Sequence, residues 1–96
     1  MIVDFASETA LDIFNGENTR MARKIPTEIW PVAQRKFDML DSAHALRDLK
    51  APPANRLEAL RGKMDGLYSI RVNDRFRIVF EFHDGNAHSV DIVDYH

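Results

Sequence analysis

The residues of this sequence that are best suited to chemistry are its last three, Asp94, Tyr95 and His96, together with two arginines upstream, Arg61 and Arg77. They offer a carboxylate, a phenol, an imidazole and two guanidinium groups. An imidazole with a pKa of about 6.5 can both give and take a proton near neutral pH. A guanidinium is a permanently charged, planar donor that matches the oxygens of a phosphate. The combination therefore suits cleavage of a phosphodiester.

RNA is the phosphodiester that such a set of side chains could cleave without a metal ion. An RNA strand carries its own nucleophile, the 2′-hydroxyl. The protein must only remove the proton of this hydroxyl, protonate the departing 5′-oxygen and stabilise the extra charge on phosphorus. Tyr95 could stack on an unpaired base. The constellation by itself is not specific, because a polar tail and two arginines also occur on solvated surfaces that have no catalytic role.

The histidines of the sequence do not indicate a metal site. No two of them form a pair at i, i+4 helical spacing or at another spacing typical of ligands. The four are His44, His83, His88 and His96. Because the chain has no cysteine, thiolate ligands and disulfides are excluded as well. The sequence also lacks a dinucleotide-binding motif, a P-loop and a nucleophile elbow, so we predict neither a metal nor an organic cofactor.

Length and composition predict a single domain that covers residues 1–96. The chain has 96 residues, of which 45% are hydrophobic, and this is enough for one modest core. No apolar run approaches the roughly 20 residues that a membrane span needs. The opening residues 1–5 are too few and too acidic for a signal peptide. We therefore expect a cytoplasmic protein that does not interact with membranes.

Charge is distributed unevenly along the chain. The net charge of −2 argues against a nucleic-acid binder, because such domains usually carry a basic balance. The average conceals a basic middle segment, since residues 1–19, 20–63 and 64–96 carry net charges of −4, +5 and −3. The basic segment could line a groove for RNA, although solvated helices and loops would explain the same charges.

The first part of the chain predicts a short strand followed by a helix. Residues 2–5 contain three large apolar side chains and form the strand candidate. Ser7 is suited to cap the helix that follows, because its hydroxyl can accept a hydrogen bond from the first turn. The helix should run through Phe14 and end at residues 15–16, Asn-Gly, where glycine can adopt a left-handed conformation.

A second helix is predicted over about residues 28–43, because apolar side chains recur there at helical spacing. These side chains are Ile29, Ala33, Phe37 and Leu40. Pro31 must lie in the first turn, where a missing backbone donor costs little. Residues 44–56 contain two consecutive prolines and read as an extended connector within the domain.

Alternating apolar residues predict three antiparallel strands in a meander. The apolar positions are Tyr68, Ile70 and Val72, then Phe76, Ile78, Phe80 and Phe82, then Val90 and Ile92. Parity selects the loop lengths: a three-residue loop at residues 73–75 pairs Ile70 with Ile78 on one face. A three-residue loop at residues 83–85, with glycine at its end, pairs Ile78 with Val90. The helices should then cover this apolar face.

The opposite face of the sheet is too polar for a core. It carries Ser69, Arg71, Arg77, Val79, Asp91, Val93 and Tyr95. Exposure to solvent is the simplest interpretation for Ser69 and Arg71, while strict alternation would direct His96 to the helix side unless the last residue leaves the ladder. The predicted fold is α+β, with two N-terminal helices packed on one face of a small, mainly antiparallel sheet.

Three separate segments resemble the HigB toxins of the RelE/ParE toxin-antitoxin superfamily. They are residues 55–62 (NRLEALRG), residues 68–78 (YSIRVNDRFRI) and residues 93–96 (VDYH). The resemblance extends over the whole chain, including the short opening strand. It implies a RelE-like element order, β-α-α-β-β-β.

The resemblance also implies a function. It suggests the toxin of a type II toxin-antitoxin pair that acts as a ribosome-dependent mRNA interferase. Such an enzyme is a metal-independent endoribonuclease that inhibits translation and growth. Its expected partners are mRNA in the ribosomal A site and a HigA-like antitoxin with a helix-turn-helix. Operator DNA would be contacted only through this antitoxin.

Carried over by the resemblance, Arg77 would stabilise the transition state at the phosphate. His96, Asp94 and Tyr95 would form the C-terminal part of the active site, and His96 would be the main proton-transfer residue. Further residues would bind RNA. These are Arg56, Arg61, Lys63 and Arg71.

Two positions depart from the pattern of better-known members. Arg61 stands where such members have a lysine near the scissile phosphate, which keeps the charge but changes the geometry. Glu58 stands where some members have a catalytic histidine. A carboxylate can act as a base but holds a proton poorly near neutral pH. Glu58 is therefore either a catalytic acid–base group or an ion-pair partner of Arg56 or Arg61.

Two interpretations from other classes stay open. A ParE-like toxin would use the same fold to bind DNA gyrase without catalysis. A general interaction module would leave the polar tail solvated and without a catalytic role. The acidic start of the chain is relevant to either toxin, because Glu8, Asp12 and Glu17 could meet basic residues of an antitoxin.

Overall fold

The computed structural model describes residues 1–95, which form two α-helices and a four-stranded antiparallel sheet. The helices are α1, Glu8–Phe14, and α2, Trp30–Ser42. The strands lie side by side in chain order as β1, Glu58–Ala59, β2, Tyr68–Arg71, β3, Phe76–His83, and β4, Asn86–Asp94. Short 3₁₀ turns are Ala22–Lys24, Thr27–Ile29, Leu46–Lys50, Pro53–Asn55 and Gly62–Met64. The predicted α+β class is confirmed.

Helix α1 begins and ends as the sequence predicts. The hydroxyl oxygen of Ser7 accepts a hydrogen bond from the backbone N–H of Ala10 at 3.1 Å. The same hydroxyl donates to the carboxylate of Asp91 at 2.6 Å, which connects the start of α1 to β4. The chain leaves the helix at Asn15, and Gly16 adopts a left-handed φ of 72°.

Helix α2 packs one apolar stripe on the sheet. Its α-helical part begins after a 3₁₀ turn rather than at residue 28, and Pro31 lies in the first turn as predicted. The ring of Phe37 is completely buried, and the rings of Phe5 and Phe14 pack edge-on against it. The remaining buried residues of the helix are Ala33 and Leu40.

The predicted pairing of Ile70 with Ile78 is confirmed. The backbone N–H of Val72 donates to the carbonyl oxygen of Phe76 at 2.9 Å, so the predicted loop of three residues, 73–75, lies between these two partners. The side chain of Asn73 stabilises this loop. Its amide oxygen accepts hydrogen bonds from the backbone N–H groups of Arg75 and Phe76 at 2.9 and 2.8 Å. Asn73 therefore acts as a turn-forming residue.

The predicted register between β3 and β4 is wrong. The turn contains two residues, since His83 pairs with Asn86, and Ile78 faces Ile92 instead of Val90. A one-residue bulge corrects the parity: Ser89 adopts a φ of 52° at the point where the register shifts. Turn and bulge together leave the alternation of faces as predicted, so the apolar residues still point to the helices.

The predicted opening strand consists of two isolated parallel bridges to β4. Ile2 pairs with Ala87 and Phe5 pairs with Val90. The first residues therefore extend the sheet at the β4 edge. At the other edge, β1 adds a strand that the sequence did not reveal, because its two residues, Glu58–Ala59, are too few to show alternation.

The connector predicted as extended contains two 3₁₀ turns, Leu46–Lys50 and Pro53–Asn55. The carboxylate of Asp48 caps the first of them. It accepts hydrogen bonds from the backbone N–H groups of His44 at 3.0 Å and Ala45 at 3.1 Å. These hydrogen bonds, first that of His44, lower the pKa of Asp48.

The two faces of the sheet differ in what covers them. The helices cover one face, and its buried residues include Ile70, Ile78, Phe80, Val90 and Ile92. On the other face Val79 is nearly inaccessible and Leu60 is buried near the β1 edge. No helix within residues 1–95 is long and apolar enough to span a bilayer.

Candidate active site

Strands β2 and β3 bring Ser69 and Arg77 together on the sheet face away from the helices. Ser69 is completely buried, and Arg77 is only 7% exposed. The Nε of Arg77 donates a hydrogen bond to the hydroxyl oxygen of Ser69 at 2.8 Å. The interpretation of Ser69 as exposed to solvent is therefore wrong, because strand β1 pairs beside it, Glu58 against Ser69, and Arg77 lies over it.

The backbone of Arg56 provides a second acceptor for Arg77. Its carbonyl oxygen accepts a hydrogen bond from Nη2 of Arg77 at 2.6 Å, while Nη2 also lies 3.5 Å from the carbonyl oxygen of Ser69. Arg56 adopts a left-handed conformation with a φ of 45°. Such a conformation costs a non-glycine residue about 1–2 kcal/mol, and the surrounding contacts must offset this cost.

The charge of Arg77 is only weakly compensated within residues 1–95. A carboxylate oxygen of Glu58 lies 4.0 Å from Nη2, and this side chain is 52% exposed. Glu58 thus approaches Arg77 rather than Arg56 or Arg61, the partners that the sequence suggested. Nη1 of Arg77 has no hydrogen-bond acceptor in the described part of the chain. This nitrogen is not among the buried polar atoms, because every buried side-chain nitrogen and oxygen there has a partner. It remains available to an anionic ligand.

The guanidinium of Arg77 lies in a cleft of about 240 Å³. The cleft is lined by Arg56, Arg71, Asn73, Asp74, Arg77 and Tyr95. Arg71 forms a hydrogen-bonded ion pair with Asp74 across one i, i+3 step. The excess of arginines over carboxylates makes the cleft suited to phosphate.

Tyr95 places its ring beside the guanidinium of Arg77. The Cζ of Arg77 lies 5.4 Å from the ring centroid, and Tyr95 is 46% exposed. The backbone N–H of Tyr95 donates to the carbonyl oxygen of Arg75 at 2.7 Å, which extends the ladder beyond β4. One ring face is thus in contact with a cation while much of the side chain is open to a ligand.

Asp94 has a different environment from the one its predicted catalytic role suggests. Its carboxylate accepts a hydrogen bond from Nε of Arg75 at 2.8 Å and lies 2.8 Å from Nη2 of the same residue. This hydrogen bond and the attraction between the charges raise the pKa of Arg75. Asp94 is not part of the lining of the cleft around Arg77.

Two of the predicted RNA-binding residues lie outside the lining of the cleft. Arg61 and Lys63 are exposed and lie at the 3₁₀ turn that follows β1. His96, the predicted proton-transfer residue, lies outside the described residues. Asn73 and the carbonyl group of Arg56 were not predicted. The sequence alone could not place either of them at the site, because both positions depend on how a loop folds back on the sheet.

A larger concavity of about 460 Å³ lies along the first part of the chain and shares no residue with the arginine cleft. It is lined by Val3, Asp4, Phe5, Ala6, Ser7, Glu8 and Leu11. The hydroxyl in this set, that of Ser7, is engaged by Asp91. Among residues 1–95 no three histidine, aspartate or glutamate side chains gather into a possible metal site.

The fold and the comparisons define the class of protein. Two helices packed on a four-stranded antiparallel sheet are consistent with RelE-like toxins, and residues 4–96 match the family described as "RelE-like toxin of type II toxin-antitoxin system HigB". The chain belongs to this family of HigB-like toxins. As a toxin of a type II system it has an antitoxin as its partner.

Two relatives are similar to this chain, and the name of the first agrees with this assignment. The chain is 44% identical over 71 residues to Toxin HigB-1 of Vibrio cholerae serotype O1, covering 74% of this chain and 75% of that toxin. It is 37% identical over 67 residues to an uncharacterized protein of Haemophilus influenzae, covering 70% of this chain and 66% of that protein.

Proposed function

We propose that this toxin is a ribosome-dependent mRNA interferase, a metal-independent endoribonuclease that inhibits translation and growth. The observation that carries the proposal is that hydrogen bonds hold the guanidinium of Arg77 in one orientation. Neutral acceptors on Ser69 and Arg56 fix its orientation, and Nη1 remains available in an arginine-lined cleft. Preorganised donors of this kind stabilise the charge that develops on a reacting phosphate.

The proposed reaction uses the 2′-hydroxyl of the RNA as the nucleophile. The 2′-oxygen forms a bond to phosphorus while the bond from phosphorus to the 5′-oxygen breaks, and the products are a 2′,3′-cyclic phosphate and a 5′-hydroxyl. A base takes the proton of the 2′-hydroxyl, and an acid gives a proton to the departing oxygen. Arg77 stabilises the additional negative charge on the phosphate oxygens.

Glu58 and His96 are the proposed proton-transfer groups. Glu58 is half-exposed and approaches Arg77 to 4.0 Å, so a phosphate bound to Arg77 would lie close to its carboxylate. A carboxylate is usually unprotonated near neutral pH, so it can act as a base but seldom has a proton to give. We therefore assign Glu58 the role of base. His96, on the grounds of the sequence alone, is assigned the role of acid.

The remaining residues are proposed to hold the RNA. Tyr95 would stack on a base, because its exposed ring stands beside the phosphate-binding guanidinium. Arg56 and Arg71 would contact phosphates within the cleft. Two exposed cationic side chains near β1 would contact phosphates further along the RNA strand. These are Arg61 and Lys63.

The proposed antitoxin is a HigA-like protein with a helix-turn-helix, which would also carry the contact to operator DNA. We propose that one of its segments occupies the concavity between the first residues and α1. Val3 is 51% exposed and Leu11 is 38% exposed there, and Asp4 and Glu8 lie beside them. A segment with apolar side chains flanked by basic ones would match this surface. The arginine cleft would stay uncovered.

Translating ribosomes programmed with a defined mRNA test the proposed activity. The wild-type toxin should cleave the mRNA within the ribosomal A site and leave a cyclic phosphate, whereas Arg77→Ala should leave it intact. The same purified protein should not affect supercoiling by DNA gyrase. Inhibition of gyrase together with intact mRNA would instead favour the ParE-like alternative.

A further inference from the structure

Asn55 links helix α2 to the candidate active site. We infer that Asn55, which is held by Lys36, is a positioning residue for Arg77. This inference rests on the proposed function. Asn55 fixes the position of Arg56, whose backbone carbonyl is the second acceptor of the guanidinium. Neither Asn55 nor Lys36 lines the arginine cleft. Asn55 and Lys36 would therefore orient the N–H donors of Arg77 and would not contact the RNA themselves.

The side chain of Asn55 is completely buried and well bonded. Its Nδ2 donates to the carbonyl oxygens of Leu49 at 3.2 Å and Ala51 at 3.4 Å. Its Oδ1 accepts from Nζ of Lys36 at 2.5 Å. A buried amide with most of its hydrogen bonds made cannot move without leaving polar groups unpaired. Asn55 therefore holds the connector at one point against α2.

The residue that follows Asn55, Arg56, is the one whose backbone reaches Arg77. The backbone N–H of Arg56 donates to the carbonyl oxygen of Pro53 at 3.1 Å, and its own carbonyl accepts from Nη2 of Arg77. The left-handed φ of Arg56 stands between these two bonds. A residue without glycine's freedom persists in this conformation only when its surroundings impose it, and the Asn55 anchor is the immediate constraint.

Lys36 completes the connection at an energetic cost. Burial, and secondarily the neighbouring Arg35, lower the pKa of Lys36. The folded protein thus holds an ammonium group where its charged form is disfavoured. The hydrogen bond to Asn55 offsets this cost.

Loss of the anchor has a specific consequence for Arg77. The hydrogen bond from Nε to the hydroxyl of Ser69 would persist, because it lies within the sheet. The acceptor of Nη2 would become mobile, so the guanidinium would be held at one end only. Nη1 would then point into the cleft for only part of the time. Turnover should fall more than binding of the RNA.

Nitrogen-15 NMR of the arginine side chains tests this inference without any RNA. In the wild type, rotation about the Nε–Cζ bond of Arg77 should be slow, and Nη1 and Nη2 should give separate signals. Asn55→Ala should average the two signals while the Nε–H signal stays shifted by Ser69. Asn18→Ala is the matched control, because exposed Asn18 bonds Arg23 elsewhere on the surface.

Lys36→Met provides a second variant in case Asn55→Ala does not fold. It should produce the same averaging to a smaller degree, and Lys36→Arg should restore part of the separation. Unchanged Arg77 signals in folded Asn55→Ala, or in folded Lys36→Met where the first does not fold, would overturn the inference.

Cleavage kinetics on ribosomes complete the test. We expect Asn55→Ala to lower kcat between about 10- and 100-fold with KM changed less than about threefold. Normal kcat in the folded variant would contradict a positioning role. If the wild type cleaves no RNA but the NMR effect is present, the proposed nuclease activity is wrong while the positioning of Arg77 stands.

Discussion

The carbonyl oxygen of Arg56 lies 2.6 Å from Nη2 of Arg77. This acceptor is neutral, as is the hydroxyl of Ser69, so the guanidinium is oriented without losing its net charge to a close ion pair. Arg75, two residues earlier, shows the opposite arrangement, because Asp94 meets its charge at 2.8 Å. Within residues 1–95 the charge of Arg77 is thus left largely uncompensated, whereas a carboxylate meets the charge of Arg75.

Replacement of Arg77 by lysine should abolish most of the activity. An ammonium group lacks the fork that bonds Ser69 and Arg56 while leaving another donor in the cleft. We expect Arg77→Lys to lower mRNA cleavage about 100-fold or more, measured on programmed ribosomes. The exposed Arg20→Lys is the matched control and should retain wild-type rates. Comparable rates in Arg77→Lys would show that charge alone suffices.

Tyr95 should act through its ring rather than its hydroxyl. Tyr95→Phe keeps the surface that lies 5.4 Å from Cζ of Arg77 and should cleave nearly as well as the wild type. Tyr95→Ala should lower kcat/KM about 5- to 150-fold, equivalent to the loss of about 1–3 kcal/mol of base stacking. Equal damage in the two variants would assign the role to the phenolic oxygen instead.

Alternation along the strands predicted which residues share a face, and this part of the fold is confirmed. It could not predict the pairing of Ile78 with Ile92, because a shorter turn and the bulge at Ser89 change the register by two residues and preserve parity. Ser89 carries no sequence signal for a left-handed conformation. Bulges of this kind follow from tertiary contacts, here the hydrogen bond from its N–H to Asp4 at 2.6 Å.

The candidate site was predictable to a similar extent. Parity placed Ser69 and Arg77 on the same sheet face, and the types of side chain indicated phosphate chemistry. The burial of Ser69 was not predictable, because it depends on β1 pairing beside it and Arg77 lying over it. The carbonyl of Arg56 was equally hidden, since a backbone acceptor has no side-chain signature and its direction depends on one left-handed φ.

The cap at Asp48 predicts a pH-dependent contribution to stability. Hydrogen bonds from His44 and Ala45 lower the pKa of Asp48 below its ordinary value of 3.8. A lowered folded-state pKa gives a contribution that is complete above this ordinary value and is lost as pH falls through the folded-state pKa. In urea unfolding, Asp48→Asn should therefore be less stable than the wild type at neutral pH, and the difference should shrink in acid.

The exposed Asp38→Asn on α2 serves as the control for this measurement and should show no such pattern. A difference between the wild type and Asp48→Asn that stays constant from neutral to acidic pH would contradict the capping role. The origin of the effect would then be the shape of the side chain rather than its charge.

The surface between the first residues and α1 should control binding of the antitoxin. Glu8→Lys and Leu11→Lys should each weaken binding about 10-fold or more, measured by titration calorimetry with the purified antitoxin. The first removes a matching charge, and the second places a cation on the exposed apolar side chain. Arg77→Ala should leave the affinity unchanged, because the two concavities share no residue. The reverse pattern would place the antitoxin over the arginine cleft.

Mapping of transcript 5′ ends shortly after induction tests the central claim most directly, namely that the Arg77 cleft cleaves mRNA during translation. Induction of the wild-type toxin should create new 5′ ends within translated codons of a reporter. These ends should be absent with Arg77→Ala and with a reporter whose start codon has been removed. Growth arrest without new ends, or identical ends in the Arg77→Ala culture, would contradict the account.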